Sequence, residues 1–160
     1  MNTWGANSVV QRETSDPRLN AIGDIVLQVK DHSVIKGHRG ETEQHQAFVD
    51  GNSKLDWPDG NHNAYPSMAQ DVRTHPSPPA MEFDKNPDKM SDRELRAEVK
   101  KLRRMAKDQP LREEQLYLLG LYKGVATMMD IPLRTGSDWD RDGEIADNGF
   151  DDFFHIELDE

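Results

Sequence analysis

The sequence predicts an α+β fold, in which a small antiparallel sheet of short strands is flanked by helices, within 160 residues. Two segments carry apolar residues at three- and four-residue steps, which is typical of amphipathic helices that pack on a core. Short β-branched or alternating runs elsewhere indicate strands. Helices and strands are intermixed without the strand–helix–strand rhythm of a parallel sheet, and that arrangement favours the α+β class.

Four helices are predicted along the chain. The clearest apolar stripes lie in residues 17–31 and 110–129, and the first stripe is formed by Leu19, Ile22, Ile25, Val26 and Val29. Residues 41–51 suit a short helix that stops at a glycine. A capping box at residues 91–94 opens a charged helix that runs to about residue 107, inside an insert of about residues 85–110. We expect residues 1–15 to be an unanchored start.

Four short strands complete the predicted fold, at residues 33–40, 68–72, 131–134 and 154–158. In the second strand, the two-residue period places Ala69 and Asp71 on one face. The last strand alternates polar and apolar residues, as a terminal strand should. The segment 52–66 is rich in Asn, Asp, Gly and Pro, which predicts an ordered loop, and the prolines of 75–79 break regular structure.

The composition excludes several classes of protein and of site. The chain has no cysteine, so a zinc site would need histidine and carboxylate ligands. Its net charge of −10 argues against nucleic acid as the main partner. No stretch approaches the ~20 apolar residues of a membrane span. The N-terminus has no basic region followed by an apolar run, so no Sec signal is visible.

Two clusters of polar residues could supply a catalytic metal centre. His62 would leave a loop, Asp71 a strand and His155 the terminal strand, so a His₂Asp set could hold zinc and leave a fourth position for water. A turn would place the carboxylate of Asp152 beside that water as general base and then general acid. The flanking Phe153 and Phe154 would raise the pKa of Asp152 by lowering the local dielectric. The remaining histidines are predicted to be surface or hydrogen-bonding groups: His32, His38, His45 and His75.

The order and spacing of these residues resemble a known family, the phage-type zinc peptidases that include D-Ala-D-Ala carboxypeptidases and L-alanyl-D-glutamate endopeptidases. The resemblance extends from about residue 22 to residue 158. In the first half it rests on residues 34–39, Gln44, Phe48, Gly51, residues 53–54, His62, residues 66–67, Ala69 and residues 71–72. In the second half it rests on residues 133–140, 150–152 and 155–158.

The resemblance implies a peptidoglycan peptidase with the Hedgehog/DD-peptidase fold, formed by residues 1–160 as a single zinc peptidase domain. It implies that zinc is held by His62, Asp71 and His155, and that Asp152 activates the water. Arg39 matches an arginine that helps to hold a substrate carboxylate or the polarised carbonyl, which suits a guanidinium. Relatives usually have Trp-Gly-Gly-Asp-Trp where residues 134–139 read Arg-Thr-Gly-Ser-Asp-Trp, so we expect a different pocket rim.

An acidic segment before Asp152 resembles the start of a calcium loop. Asp138, Asp140 and Asp142 alternate along the chain, and a glycine occupies the sixth position. The twelfth position is Gly149 in place of the bidentate Glu of an EF-hand, so Asp147 or Asp151 would have to substitute for it. The alternative interpretation is a solvated acidic loop.

The leading functional hypothesis is a phage endolysin that cuts the peptide stems of peptidoglycan, with the L-alanyl-D-glutamate bond as its target. We expect a monomer that accumulates in the host cytoplasm, is released by a holin-like partner and acts in the periplasm or cell wall, without stable membrane insertion. One alternative is a D-Ala-D-Ala carboxypeptidase or dipeptidase. Another is a catalytically silent, zinc-stabilised binding or virion protein.

Overall fold

The structure of the protein is a computed structural model that describes residues 2–76, 91, 93, 109–145 and 151–159. Its helices are α1 (Ala6–Glu13), α2 (Pro17–Val29), α3 (Glu41–Val49) and α4 (Gln109–Met128), with a 3₁₀ turn at Asn61–Asn63. Its strands are β1 (His32–Lys36), β2 (Ala69–Thr74), β3 (Leu133–Thr135) and β4 (His155–Leu158). The predicted charged helix at 91–107 lies outside the described residues, apart from Ser91 and Arg93.

The four strands form one antiparallel sheet in the order β1-β2-β4-β3. With helices α1 to α4 around this sheet in the described part of the chain, the predicted α+β class is confirmed. The helices α2 and α4 pack together, and the apolar core lies between them and the sheet. The core side chains are Leu19, Ile22, Val26, Val34, Val72, Leu118, Leu119, Tyr122, Ala126, Leu133, Ile156 and Leu158.

The N-terminal segment is anchored, so the expectation of an unanchored start is wrong. Its helix α1 packs along β1, the edge strand of the sheet, through polar side chains. Ser8 Oγ accepts a hydrogen bond from Val34 N, and the Gln11 side-chain oxygen accepts one from Gly37 N. An edge strand leaves backbone groups unpaired, and covering them stabilises the edge. Because these contacts are polar, α1 lacks the apolar stripe by which a helix is predicted.

The burial of α2 departs from prediction on one side of the helix. Leu19, Ile22 and Val26 are fully buried as expected, whereas Ile25 and Val29 are 46% and 62% exposed. The helix begins at Pro17, where the Asp16 side chain accepts a hydrogen bond from Arg18 N and caps the first turn. The buried stripe is therefore narrower than the apolar sequence pattern.

The strand β4 is buried along its whole length, although its sequence alternates. It lies in the middle of the sheet, between β2 and β3, and not at an edge. Ile156 and Leu158 belong to the apolar core, whereas His155 and Glu157 lie on the opposite face. Alternation along β4 thus separates the core from a polar cluster, and does not separate the core from solvent.

A buried hydrogen bond joins β1 to α4 and supplies a test of the fold. His32 Nδ1 donates to Lys30 O over 2.9 Å, so its Nε2 accepts from the Tyr122 hydroxyl over 2.7 Å. Burial lowers the pKa of His32, which keeps the ring neutral and able to accept. Trp4 packs edge-on against this ring, with centroids 4.9 Å apart. Of the two roles predicted for His32, surface or hydrogen-bonding group, the structure shows the second, in a buried position.

We expect Tyr122→Phe to lower the free energy of unfolding by about 1–3 kcal/mol, because it leaves the buried His32 Nε2 without a donor. Urea unfolding of the metal-free protein measures this difference. Tyr117→Phe is the matched control, since Tyr117 lies on the same helix and is 53% exposed. Equal stability of the two variants would contradict this account.

Candidate active site

Strand register brings two of the predicted metal ligands together. Asp71 on β2 lies directly opposite His155 on β4. Side chains directly opposite one another in an antiparallel pair have Cβ atoms within about 5.5 Å, so the carboxylate and the ring share one face of the sheet. Neither strand needs an unusual conformation for this placement. The two residues are 84 positions apart in sequence, and only the pairing of β2 with β4 makes them neighbours.

The third predicted ligand, His62, is held by the 3₁₀ turn and the chain that follows β1. Its backbone oxygen accepts a hydrogen bond from Arg39 N over 2.8 Å. Its Nδ1 lies 2.6 Å from Gly37 O. A carbonyl oxygen only accepts, so Nδ1 carries the proton and Nε2 presents a lone pair. The ring is 5% exposed and its orientation is therefore fixed by two backbone contacts.

Three acceptor atoms converge on one point. His62 Nε2 is 3.2 Å from Asp71 Oδ1 and 3.3 Å from His155 Nδ1, and the latter two atoms are 3.3 Å apart. Ligands of a tetrahedral zinc lie about 3.3–3.4 Å apart when each bond to the metal is about 2.0–2.1 Å long. Lone pairs at this separation repel unless a cation lies among them. The residues present therefore fit a tetrahedral His₂Asp metal site.

The pKa values of His155 and Asp71 show that positive charge stabilises this cluster. Burial opposes a charged His155, but hydrogen bonds and attraction from Asp71 and Glu157 outweigh it and raise the pKa of His155 to about 9. Burial likewise opposes the Asp71 carboxylate, and the two histidines nevertheless hold the pKa of Asp71 well below its usual range. His155 is therefore protonated at neutral pH in the metal-free protein, and metal binding must displace that proton.

Glu157 orients His155 from behind. His155 and Glu157 are two residues apart on β4, so their side chains share a face of the sheet. His155 Nε2 donates a hydrogen bond to Glu157 Oε2 over 2.9 Å. Despite burial, this bond and Arg134 lower the pKa of Glu157 to about 2, so the carboxylate is ionised. Such a carboxylate fixes the tautomer of a ligand histidine and raises its basicity. Sequence reasoning assigned Glu157 no role, although its two-residue spacing from His155 was a usable signal.

Arg134 and Trp139 close a ring of contacts around His155. Arg134 lies opposite Glu157 across the β3–β4 pair, and its Nε donates to Glu157 Oε1 over 2.8 Å. Its guanidinium lies 5.2 Å from the centroid of the Trp139 ring. The Trp139 ring in turn packs against His155, with centroids 5.2 Å apart. Arg134 and Trp139 thus support a predicted metal ligand, Arg134 through Glu157 and Trp139 by direct ring packing.

Asp152 lies in the turn that leads into β4. Its backbone nitrogen donates to Gly136 O over 2.7 Å, and its Oδ1 accepts from Phe154 N over 3.0 Å. Burial, together with the nearby Asp71 carboxylate, raises the pKa of Asp152. The sequence predicted this direction from the flanking phenylalanines, and the like charge of Asp71 is a second cause. A raised pKa suits a carboxylate that must both take and return a proton.

One cavity of about 510 Å³ contains all of the predicted catalytic and zinc-site side chains. Arg39 lines it, and its Nη2 lies 3.4 Å from Asp71 Oδ2. The loop that follows α3 also lines the cavity. The described lining residues are Arg39, Gln44, residues 52–55, residues 59–62, Asp71, Arg134, Trp139, Asp152, His155 and Glu157.

The acidic segment brings three of its four predicted calcium ligands together. Carboxylate oxygens of Asp138, Asp140 and Asp142 all lie within 4.8 Å of one another. Asp142 Oδ1 accepts from Glu144 N over 2.8 Å. Gly143 has a φ of 87°, which L-residues with a side chain rarely adopt, so glycine permits this turn. Asp147 lies outside the described residues.

Comparison with known proteins supports the fold. No protein-family model and no curated protein sequence matches the chain. Among solved structures, the crystal structure of the L-Ala D-Glu endopeptidase ChiX from Serratia marcescens is similar, with a TM-score of 0.59. The two sequences are 16% identical, and the match covers 96% of this chain and 87% of that chain. The chain therefore shares its fold with a peptidase over almost its whole length.

Gly136 fixes the distance between β3 and the turn that carries Asp152. A Cβ at this position would lie 2.3 Å from Asp152 O and 3.0 Å from the His155 Cβ. We expect Gly136→Ala to lower the free energy of unfolding by about 1–3 kcal/mol, because backbone must move to admit the methyl group.

Urea unfolding measures this effect against Gly120→Ala, in which the new methyl group meets nothing within 4 Å. Gly120 is an exposed residue inside α4, so the control should gain about 0.5–1 kcal/mol. Wild-type stability of the Gly136→Ala protein would contradict the close approach described here.

Proposed function

We propose that this chain is a zinc-dependent peptidoglycan peptidase that cuts the L-alanyl-D-glutamate bond of the peptide stem. The observation that carries the proposal is the convergence of three lone pairs, from His62, Asp71 and His155, in a cavity that also holds Asp152 and Arg39. The fold shared with an L-Ala D-Glu endopeptidase supports the choice of bond.

The protein would hold zinc through His62 Nε2, Asp71 Oδ1 and His155 Nδ1. When bound, zinc supplies Lewis-acid activation of water and of the scissile carbonyl. Hydrogen bonds from His62 to Gly37 O and from His155 to Glu157 leave the ligand lone pairs facing inward. These hydrogen bonds hold the ligands in one orientation before the metal binds.

Asp152 is the residue proposed to move the proton. Its raised pKa makes it a stronger base than an ordinary aspartate, and it would accept the proton of the attacking water. The resulting acid would then donate that proton to the departing amine of the D-glutamate residue. The hydrogen bond from Phe154 N to Oδ1 holds one carboxylate oxygen, which orients the other for this exchange.

Arg39 is proposed to bind the substrate near the scissile bond. Its guanidinium is half-buried beside Asp71 and lines the cavity. A guanidinium can bind a carboxylate through two parallel hydrogen bonds or stabilise the oxyanion that forms on the carbonyl. The peptide stem offers both groups, because its D-glutamate residue carries a free carboxylate next to the amide that is cut.

Calcium at Asp138, Asp140 and Asp142 is a second part of the proposal, supported by the closeness of their carboxylates. An ion there would order the segment that leads to Asp152 and His155. The phage origin and action at the cell wall rest on the sequence resemblance, whereas the monomeric state and release by a holin-like partner stay predictions. No helix in the described part of the chain has the length and apolar character to cross a bilayer.

Digestion of purified peptidoglycan by the zinc-loaded protein, followed by mass spectrometry, tests the proposal. We expect new L-alanine carboxyl ends and D-glutamate amino ends from the wild type. Asp152→Asn should lower kcat by about 10²–10⁴-fold and keep its zinc, because it removes the proton acceptor and leaves the ligands in place. Asp130→Asn removes the charge of an exposed aspartate that is not among the described cavity-lining residues, and this control should stay active.

Other products would redirect the assignment. Release of only a terminal D-alanine would identify a carboxypeptidase and reject the endopeptidase. Absence of any cleavage by a folded, zinc-loaded wild type, with and without calcium, would reject the enzyme and favour a silent binding or virion protein. Unchanged activity of Asp152→Asn would reject the proposed proton transfer.

A further inference from the structure

Gln44 has an unusual position for a polar side chain. It is 1% exposed and is the buried residue of α3, whose apolar Phe48 and Val49 are 43% and 64% exposed. The helix is therefore held in place by a buried amide and not by an apolar stripe. Burial of an amide costs free energy unless its donors and acceptors are paired, so the Gln44 side chain needs hydrogen-bond partners in the protein.

All four hydrogen-bonding positions of the Gln44 amide are used. Its Nε2 donates to Ser53 Oγ over 2.9 Å and to Leu55 O. Its Oε1 accepts from Arg39 Nη1 over 3.2 Å and from Asn63 Nδ2 over 3.3 Å. An amide offers two N–H donors and two acceptor lone pairs, so none is left over.

The direction of this amide is determined by its partners. Leu55 O can only accept, so the nitrogen must face the loop after α3. A guanidinium can only donate, so the oxygen must face Arg39. A rotated amide would place two acceptors together on one side and two donors on the other. The Gln44 side chain therefore has one orientation that pairs with all of these partners.

These partners belong to different segments of the chain. Arg39 and residues 53–55 all line the cavity. Asn63 is the neighbour of His62 and also donates to Arg39 O over 3.0 Å. Gln44 is the point at which the substrate-facing guanidinium, the loop wall and the 3₁₀ turn meet. No part of the metal site proposed above requires this amide directly.

We propose that Gln44 is a positioning residue for substrate binding, which holds the Arg39 guanidinium at a fixed distance from the cavity wall formed by residues 53–55. This inference rests on the proposed function. Gln44 acts through Arg39 and the wall, without itself taking part in the proton transfer. A misplacement of about 1 Å in a group that orients substrate can cost about 10²-fold in rate, so the loss of one amide is measurable.

A double-mutant cycle tests this coupling. We expect Gln44→Met, which keeps the length of the side chain and removes its hydrogen bonds, to lower kcat/KM by about 10–100-fold. In an Arg39→Ala background the same change should have a much smaller effect, because the group that Gln44 positions is already gone. Zinc content and the metal-free melting temperature are measured for each protein.

Gln46→Met is the matched control. Gln46 lies on the same helix, is exposed and bonds to the Asp50 side chain, so its loss should leave kcat/KM unchanged in both backgrounds. If Gln44→Met does not fold, Gln44→Glu replaces it in the cycle. That variant keeps the acceptor facing Arg39 and removes the donor facing Leu55 O.

The outcomes separate this inference from the proposed function. An active wild type in which the Gln44 change costs the same factor with and without Arg39 would contradict positioning and indicate a purely structural role. Loss of zinc from the Gln44 variants would also contradict it, because the amide would then act through the metal site. An inert wild type would overturn the proposed function and this inference with it.

Discussion

Mutual repulsion among three lone pairs is the constraint on which the site depends. His62, Asp71 and His155 present acceptor atoms about as far apart as ligands of one tetrahedral ion, and both histidine rings are buried in the lining of the cavity. A fold that only needed stability would avoid this arrangement or fill it with paired donors. The cluster becomes favourable when a cation occupies its centre. The raised pKa of His155 shows the same preference, because a protonated His155 also brings positive charge to the cluster.

The surrounding structure can be understood as support for that cluster. The β2–β4 register places Asp71 opposite His155, and the chain after β1 fixes His62 through the Gly37 carbonyl. Glu157 holds the far side of the His155 ring. The apolar core on the other face of the sheet gives these strands a rigid base. Polar groups that would be costly elsewhere are thus concentrated on one face of the sheet, where hydrogen bonds such as that from His155 to Glu157 hold them in place.

The sequence predicted the class of fold and most elements, because apolar periodicity marks helices and strands that pack on a core. It missed α1, whose anchoring contacts are polar side chains on backbone groups of β1 and of Gly37 directly after it. The zinc-site residues followed from family resemblance, since His62 and His155 are 93 positions apart and no local pattern links them. The roles of Glu157 and Arg134 needed the register of β3 on β4, which sequence alone does not give.

Calorimetric titration of zinc into the metal-free protein at neutral pH tests whether His62, Asp71 and His155 form a metal site. We expect one tightly bound ion per chain and release of about one proton, because His155 is protonated below its pKa and must lose that proton to bind metal. Asp71→Asn should weaken binding strongly, since it removes the charged ligand. Absence of stoichiometric binding, or equal affinity of the Asp71→Asn protein, would contradict the claim that these three residues form a metal site.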